Sequence, residues 1–147
     1  MRCHLAAALL LCAAAPGVAH AQAAATAADS AAIRQVALDY AEAWYAGDAA
    51  RMERALHPEL AKRMVESDAQ GRSTLDRMTA AELVEITRRG GGTRTPAAER
   101  QADVRILDIF GNAASVRATM RGWVDYLHVV RWNGRWVIID ALWEQKP

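Results

Sequence analysis

The chain has 147 residues, with 18 Lys and Arg against 17 Asp and Glu, a formal net charge of +1 and a hydrophobic share of 52%. That balance supplies no field able to recruit nucleic acid or an anionic membrane surface. Both cysteines, Cys3 and Cys12, lie close to the N-terminus, so the body of the chain has no disulfide, no thiolate nucleophile and no Cys-ligated metal.

The first residues read as a secretory signal peptide, 1–21. Arg2 supplies the positive charge, Leu5 to Ala15 the apolar core, and Ala19-His20-Ala21 the small-x-small cleavage pattern. The apolar run is too short for a bilayer span, which needs ~20 residues. Cys12 follows Leu11 rather than a small residue, which argues against a lipoprotein. Cleavage would leave residues 22–147 with 17 basic and 17 acidic groups, exported to the periplasm or the extracellular medium. Residues 22–28, "QAAATAA", are low in complexity and read as a flexible tether, followed by one domain over 29–147.

Asp29 or Ser30 is placed to cap a first helix, whose apolar stripe Ile33, Val36, Ala37, Tyr40, Ala41 and Trp44 steps by threes and fours. Gly47 ends it. Asp48 caps a second, short helix through Leu56, stopped by Pro58. "ELAKRMVESDAQGRSTL" reads as a hairpin with strands at 60–65 and 72–75, an irregular lid being the other reading. Thr79 and Glu82 have the spacing of a capping box, which starts a third helix over 80–89 with Leu83 and Ile86 facing inward. The loop "GGGTRTPAAER" reads as a polar, flexible linker, since its triple Gly lacks the strand and helix that flank a phosphate cradle.

From Gln101 onward the pattern predicts four strands in an antiparallel meander. Its strongest turn signal is Asn133-Gly134, because both central residues of a type I′ turn need positive φ. A two-residue turn there sets His128 opposite Ile139, Tyr126 opposite Ala141 and Val124 opposite Trp143. One face then carries Trp123, Asp125, Leu127, Val129, Trp136, Ile138, Asp140 and Leu142, and the other carries Val124, Tyr126, His128, Val130, Val137, Ile139 and Trp143. Neither face is polar. Helices on one side and a second subunit on the other would cover both, so a homodimer through the sheet is expected.

Three helices before a curved antiparallel sheet, with the blocks "ALDYAEAWYAGDAARMERALHPELAKR", "VRILDIFGNAASVRA" and "DYLHVVRWNGRWVIIDALWE", resemble the nuclear transport factor 2-like superfamily, in its branch labelled putative lumazine-binding. The resemblance covers residues 30–144. It implies an α+β cone, a bent sheet wrapped round the first helix with a cavity near the helix ends. The superfamily holds ketosteroid isomerase, scytalone dehydratase, polyketide cyclases and limonene epoxide hydrolase beside members that only bind, so the fold names no reaction. No group of residues here reads as a pteridine site.

Candidate site residues follow from individual chemistry. Asp125 is an acid on an apolar strand, costly to bury unless neutralised or paired, and is a candidate general base; a structural ion pair with Arg117 or Arg121 is the other account. His57, beside Pro58, is a candidate base or ligand donor, or a helix C-cap. Tyr40 and Trp44 lie one turn apart on the helix that lines the cavity, with the Tyr40 hydroxyl as a polar handle. Lys62 and Arg63 are adjacent strand residues, so only one can enter the cavity; Arg63 is taken as the ligand-facing one, together with Tyr126 and Trp136. His128 falls on the face opposite Asp125, which rules out a dyad on that strand. No cofactor fingerprint and no metal-ligand spacing is present. The function expected is binding of a small, largely apolar organic molecule, with no nucleic acid and no membrane partner after signal cleavage. The alternatives are a cofactor-independent isomerase, dehydratase or hydrolase with Asp125 or His57 as base and Tyr40 as acid, and a homodimeric interaction module.

Overall fold

The computed structural model describes residues 26–147, so the expected signal peptide, 1–21, and residues 22–25 of the expected tether lie outside the described residues. Helix α1 spans Ala27–Ala46, α2 Ala49–Ala55, strand β1 Leu56–Ser67, β2 Ser73–Thr79, α3 Ala80–Arg88, β3 Ala102–Phe110, β4 Ala113–Met120, β5 Trp123–Trp132 and β6 Arg135–Gln145. The six strands form one sheet in the order β2-β1-β6-β5-β4-β3, antiparallel except where β1 runs parallel to β6. The fold is α+β: α1 packs on β3, β4 and β6, and α3 on β1 and β2.

The stripe expected on α1 is the one that is buried, with Ile33, Val36, Ala37, Tyr40 and Ala41 in the core and Trp44 half-buried. Its start differs from the sequence reading. Thr26 is the N-cap, not Asp29 or Ser30, and residues 26–28 form the cap and first turn of the helix rather than tether. Asp29 is the third residue of a capping box: its N–H donates to Thr26 Oγ1 at 3.0 Å and its carboxylate accepts from Thr26 N at 3.2 Å. The same carboxylate accepts from Trp136 Nε1 at 3.3 Å and pairs with Arg131, which ties the helix start to the β5/β6 hairpin.

These bonds, the backbone one from Thr26 first, hold the Asp29 carboxyl down from the usual 3.8 to about 2. A carboxyl whose folded pKa is depressed binds its proton more weakly in the native state than when unfolded. Its contribution is therefore complete above the unfolded value and is lost as pH falls through the folded one. The melting temperature is expected to drop as pH falls from 3.8 towards 2, and Asp29→Asn should flatten that part of the profile; an unchanged slope in the variant would assign the acid transition elsewhere.

Asp48 caps α2 through Arg51 N at 2.9 Å. The helix stops at Ala55, and Leu56 and His57 already belong to β1, so His57 is a strand residue and not a helix cap. Of the two readings of the middle segment, the hairpin stands, with β1 and β2 joined through a turn in which Gly71 N donates to Asp68 O at 2.9 Å. The capping box Thr79/Glu82 starts α3 as expected. The glycine loop is a correction. Gly92 is buried and a Cβ at either Gly91 or Gly92 would collide with the Trp44 indole. The loop is a packing surface for Trp44, because only backbone without a side chain can lie that close to a flat ring.

The turn at Asn133-Gly134 has φ of +48° and +79°, and it sets Trp132 opposite Arg135 as predicted. Beyond it the register departs from the sequence reading. A bulge between His128 and Val129 shifts the pairing by one, so His128 faces Asp140, Tyr126 faces Leu142 and Asp125 faces Trp143. One extra residue on β6 reverses the faces of everything after it. Trp143 therefore joins Asp125 on the helix-covered inner face, while Asp140 and Leu142 turn outward, with Leu142 52% exposed.

Candidate functional site

Strand alternation and helix periodicity bring three polar side chains together inside the core. Lys62 lies on β1 between the buried Leu60 and Met64, Asp125 is the inward residue of β5 two before Leu127, and Tyr40 is in the stripe of α1. All three are 5% exposed or less. Lys62 Nζ donates to Tyr40 Oη at 2.9 Å and also to Asp125 Oδ1, and Tyr40 Oη donates to the same Oδ1 at 3.2 Å. Among the described residues the second oxygen, Asp125 Oδ2, is buried without a hydrogen-bond partner.

The ammonium is also held by an aromatic face. Its Nζ lies 4.7 Å from the centre of the Trp143 ring. Burial pushes the Lys62 pKa below the ordinary lysine value, with Asp125 pulling the other way. Burial, and then the Asp125 charge, push the Tyr40 hydroxyl well above the ordinary tyrosine value, so it stays protonated and is a donor.

Lys62 and Tyr40 form the polar end of a cavity of about 100 Å³. Its walls are Trp44, Trp123 and Trp143, stacked edge to face with centroids 5.6 and 6.3 Å apart, and the thioether and alkyl side chains of Met78, Leu83 and Met120 complete it. The arrangement can accept a small apolar body and offer it one hydroxyl and one ammonium, with Asp125 behind them as counter-ion.

Three candidate residues from the sequence meet here, Tyr40, Trp44 and Asp125. The others do not. Arg63 turns to the outer face and bonds Asp140 Oδ2 at 2.7 Å; its neighbour Lys62 is the cation that enters, since β1 lies beside β6 with Arg63 opposite the outward Leu142. Tyr126 is on the same outer face and 47% exposed. Trp136 is buried at the far end of the inner face, between Asp29 and the Arg131 guanidinium 4.9 Å from its ring. His57 borders a separate hollow with Pro58, Ala80 and Arg88, not the Tyr40 cavity. Its Nδ1 accepts from Glu59 N at 3.1 Å, which puts the ring proton on the buried Nε2, and the ring meets Trp132 at 84°. A nitrogen committed in this way is a poor base for a ligand in the other cavity.

Neither proposed arginine reaches Asp125. Arg121 pairs with Glu99 at 2.5 Å, and Arg117 lies on β4 in the outward row with Tyr126 and Arg105. The sequence reading missed Trp123, Trp143, Met78, Leu83 and Met120 as cavity walls. Trp143 was hidden by the bulge. No cluster of three or more His, Cys, Asp or Glu side chains suited to a metal occurs among the described residues, and no helix among them is long and apolar enough to cross a membrane.

The family model described as Putative lumazine-binding matches residues 28–144. The chain belongs to that family. Solved structures agree on the fold. A nuclear transport factor 2-like protein of unknown function from Shewanella baltica OS155 is 19% identical with a TM-score of 0.63, over 85% of this chain and 99% of that one. One from Silicibacter pomeroyi DSS-3 is 18% identical with a TM-score of 0.61, over 84% and 100%. A protein of unknown function with a cystatin-like fold from Nostoc punctiforme PCC 73102 is 17% identical with a TM-score of 0.57, over 83% and 94%. At these identities the likeness is one of fold alone, and it is the nuclear transport factor 2-like fold. No curated protein matches the chain.

Proposed function

We propose that the chain is an exported binding domain for a small organic molecule, apolar for most of its surface and carrying one polar group. The observation that carries the reading is a buried ammonium and a buried hydroxyl, Lys62 and Tyr40, set at one end of an otherwise apolar cavity walled by three tryptophans. Binding sites for small molecules combine these features, a concave apolar wall and a few fixed polar groups. The family's description supports a ligand of some kind. The fused rings of a lumazine are a poor match in size, since the cavity of about 100 Å³ is smaller than the ~150 Å³ that accommodates benzene.

Titration with 1-butanol, followed by tryptophan fluorescence, tests the reading. A saturable change is expected in the native chain, weakened several-fold by Tyr40→Phe and abolished by Met78→Trp, which fills the cavity from its rim. A linear response, unchanged by Met78→Trp, would refute it. A second reading, a cofactor-independent proton-transfer enzyme, uses the same cluster. Asp125 itself does not border the cavity, so a proton would reach it through Tyr40, which lines the cavity and whose hydroxyl bonds Asp125.

The outer sheet face supports the homodimer. Arg63, Leu142, Tyr126, Arg117 and Arg105 lie side by side on successive strands, with Asp140 beside them. The row sets the exposed Leu142 and Tyr126 between arginines, an apolar centre with a charged rim such as interfaces carry. Native mass spectrometry of the chain recovered from the periplasm of expressing cells should give twice the mass of residues 22–147; a monomer would overturn the dimer, and retention of residues 1–21 would overturn the export.

A further inference from the structure

We propose that Lys62 is a carbonyl-capturing amine, which condenses with a small aldehyde or ketone in the cavity to give an iminium while Tyr40 and Asp125 move the protons. This rests on the cavity being the ligand site.

The residue type is the first argument. Lys62 and Lys146 are the only lysines among the 18 basic residues, every other cation being an arginine. An arginine in that place would make a better fixed ion pair, with more donors and a permanent charge, whereas a lysine can lose its proton and expose a nucleophilic lone pair. Lys62 is the cation that is buried, and its side chain is part of the cavity lining. Lys146 is half-buried, with its Nζ held by Gln101 Oε1 at 2.7 Å and by the Met120 carbonyl.

The second argument is the proton path. The ammonium gives a proton to the Asp125 carboxylate it already touches. The neutral amine then attacks the carbonyl carbon, forming the C–N bond as the C=O π pair moves to oxygen, and a proton passes from nitrogen to that oxygen to give the carbinolamine. Tyr40 Oη, 2.9 Å from Nζ and 3.2 Å from Asp125 Oδ1, hands the carbinolamine hydroxyl a proton and takes one back from Asp125. The C–O bond breaks, water leaves, and the nitrogen lone pair closes the C=N bond. Ammonium and carbonyl compound have become iminium and water, and Asp125 is again a carboxylate.

The third argument is charge. The site is built for a cation at Nζ, with the Asp125 carboxylate and the Trp143 ring face 4.7 Å away. An iminium keeps that charge at that atom, so the product is stabilised by the groups that hold the free lysine. Burial lowers the Lys62 pKa, and a lower pKa leaves more of the amine neutral and nucleophilic at a given pH. The cavity of about 100 Å³ suits a carbonyl compound of no more than four carbons.

The full chain is incubated briefly with butanal and cyanoborohydride, which delivers hydride to the C=N bond, and the peptides are mapped by mass spectrometry. One butyl group on Lys62, at roughly tenfold or more the yield on Lys146, is the expected result, with no labelling of that peptide in Lys62→Met/Asp125→Leu. That double variant removes the ion pair as a unit and is expected to keep a cooperative urea unfolding transition, so it separates loss of the amine from loss of the fold. If 1-butanol saturates the native cavity but Lys62 is labelled no more than Lys146, the imine fails and the binding site stands. If neither 1-butanol nor butanal perturbs the tryptophans and Lys62 stays unlabelled, both fail together.

Discussion

Asp125→Asn is expected to destabilise the domain by about 3–5 kcal/mol, the usual cost of removing one partner of a buried ion pair, and to lower the melting temperature by roughly 10–20 °C. The side chain is the same size, so packing is kept. What is lost is the one charge among the described residues that offsets the Lys62 ammonium, which stays 5% exposed beneath α1 with Tyr40 and an uncharged amide as its neighbours. Lys62→Met should cost a similar amount, because it strands the carboxylate, of which one oxygen already lacks a partner among the described residues. The double substitution Lys62→Met/Asp125→Leu should recover most of the loss, or exceed the native stability, since two apolar side chains pay no desolvation. A cycle of the four proteins by urea denaturation gives the coupling directly. Single variants within 1 kcal/mol of the native chain would mean that the pair is solvated and that the site is open to water.

Gly92→Ala is the second large effect, expected at about 1–3 kcal/mol as an overpacking penalty. A Cβ there would lie 2.7 Å from the Trp44 carbonyl oxygen and closer still to its indole. The main-chain oxygen sits in α1 and cannot retreat, so the ring must. Its way out leads towards Trp123, whose ring it meets at 85°, and into the cavity both line. Loss of 1-butanol binding should therefore accompany the drop in stability. Gly122→Ala is the control: a Cβ there meets nothing within 4 Å, and its effect should lie within about 0.5 kcal/mol of zero. Equal melting temperatures for the two variants would show that the glycine loop is not a wall for Trp44.

These two predictions depend on contacts between residues far apart in sequence, and that separates what the chain announces from what it hides. The stripe from Ile33 to Trp44, the capping box at Thr79 and Glu82, and the Asn133-Gly134 turn are legible because each is a local pattern: side-chain period, cap chemistry and positive φ act within a few residues. So is the presence of Tyr40 and Trp44 on the inward stripe of the first helix, since the helix period sets direction, whereas alternation puts Asp125 and Tyr126 on opposite faces without saying which turns inward. The choice between Lys62 and Arg63 is different. Lys62 has Leu60 and Met64 two residues to either side, and Arg63 has Ala61 and Val65, so alternation alone allows both. The pairing of β1 with β6 decides it, by setting Arg63 beside an outward leucine.

The bulge at His128 is the other decision that belongs to the tertiary structure. No local residue type demands it, yet it moves Trp143 from the outer face to the cavity and sends Asp140 outward to Arg63 and His128. By itself the sequence determined the fold class, the order of the elements and which short segments turn or cap, because those are set by neighbours along the chain. Only the packed sheet decided which cation meets Asp125 and which tryptophans wall the cavity, because a one-residue slip between strands is cheap in local terms and reverses every face beyond it.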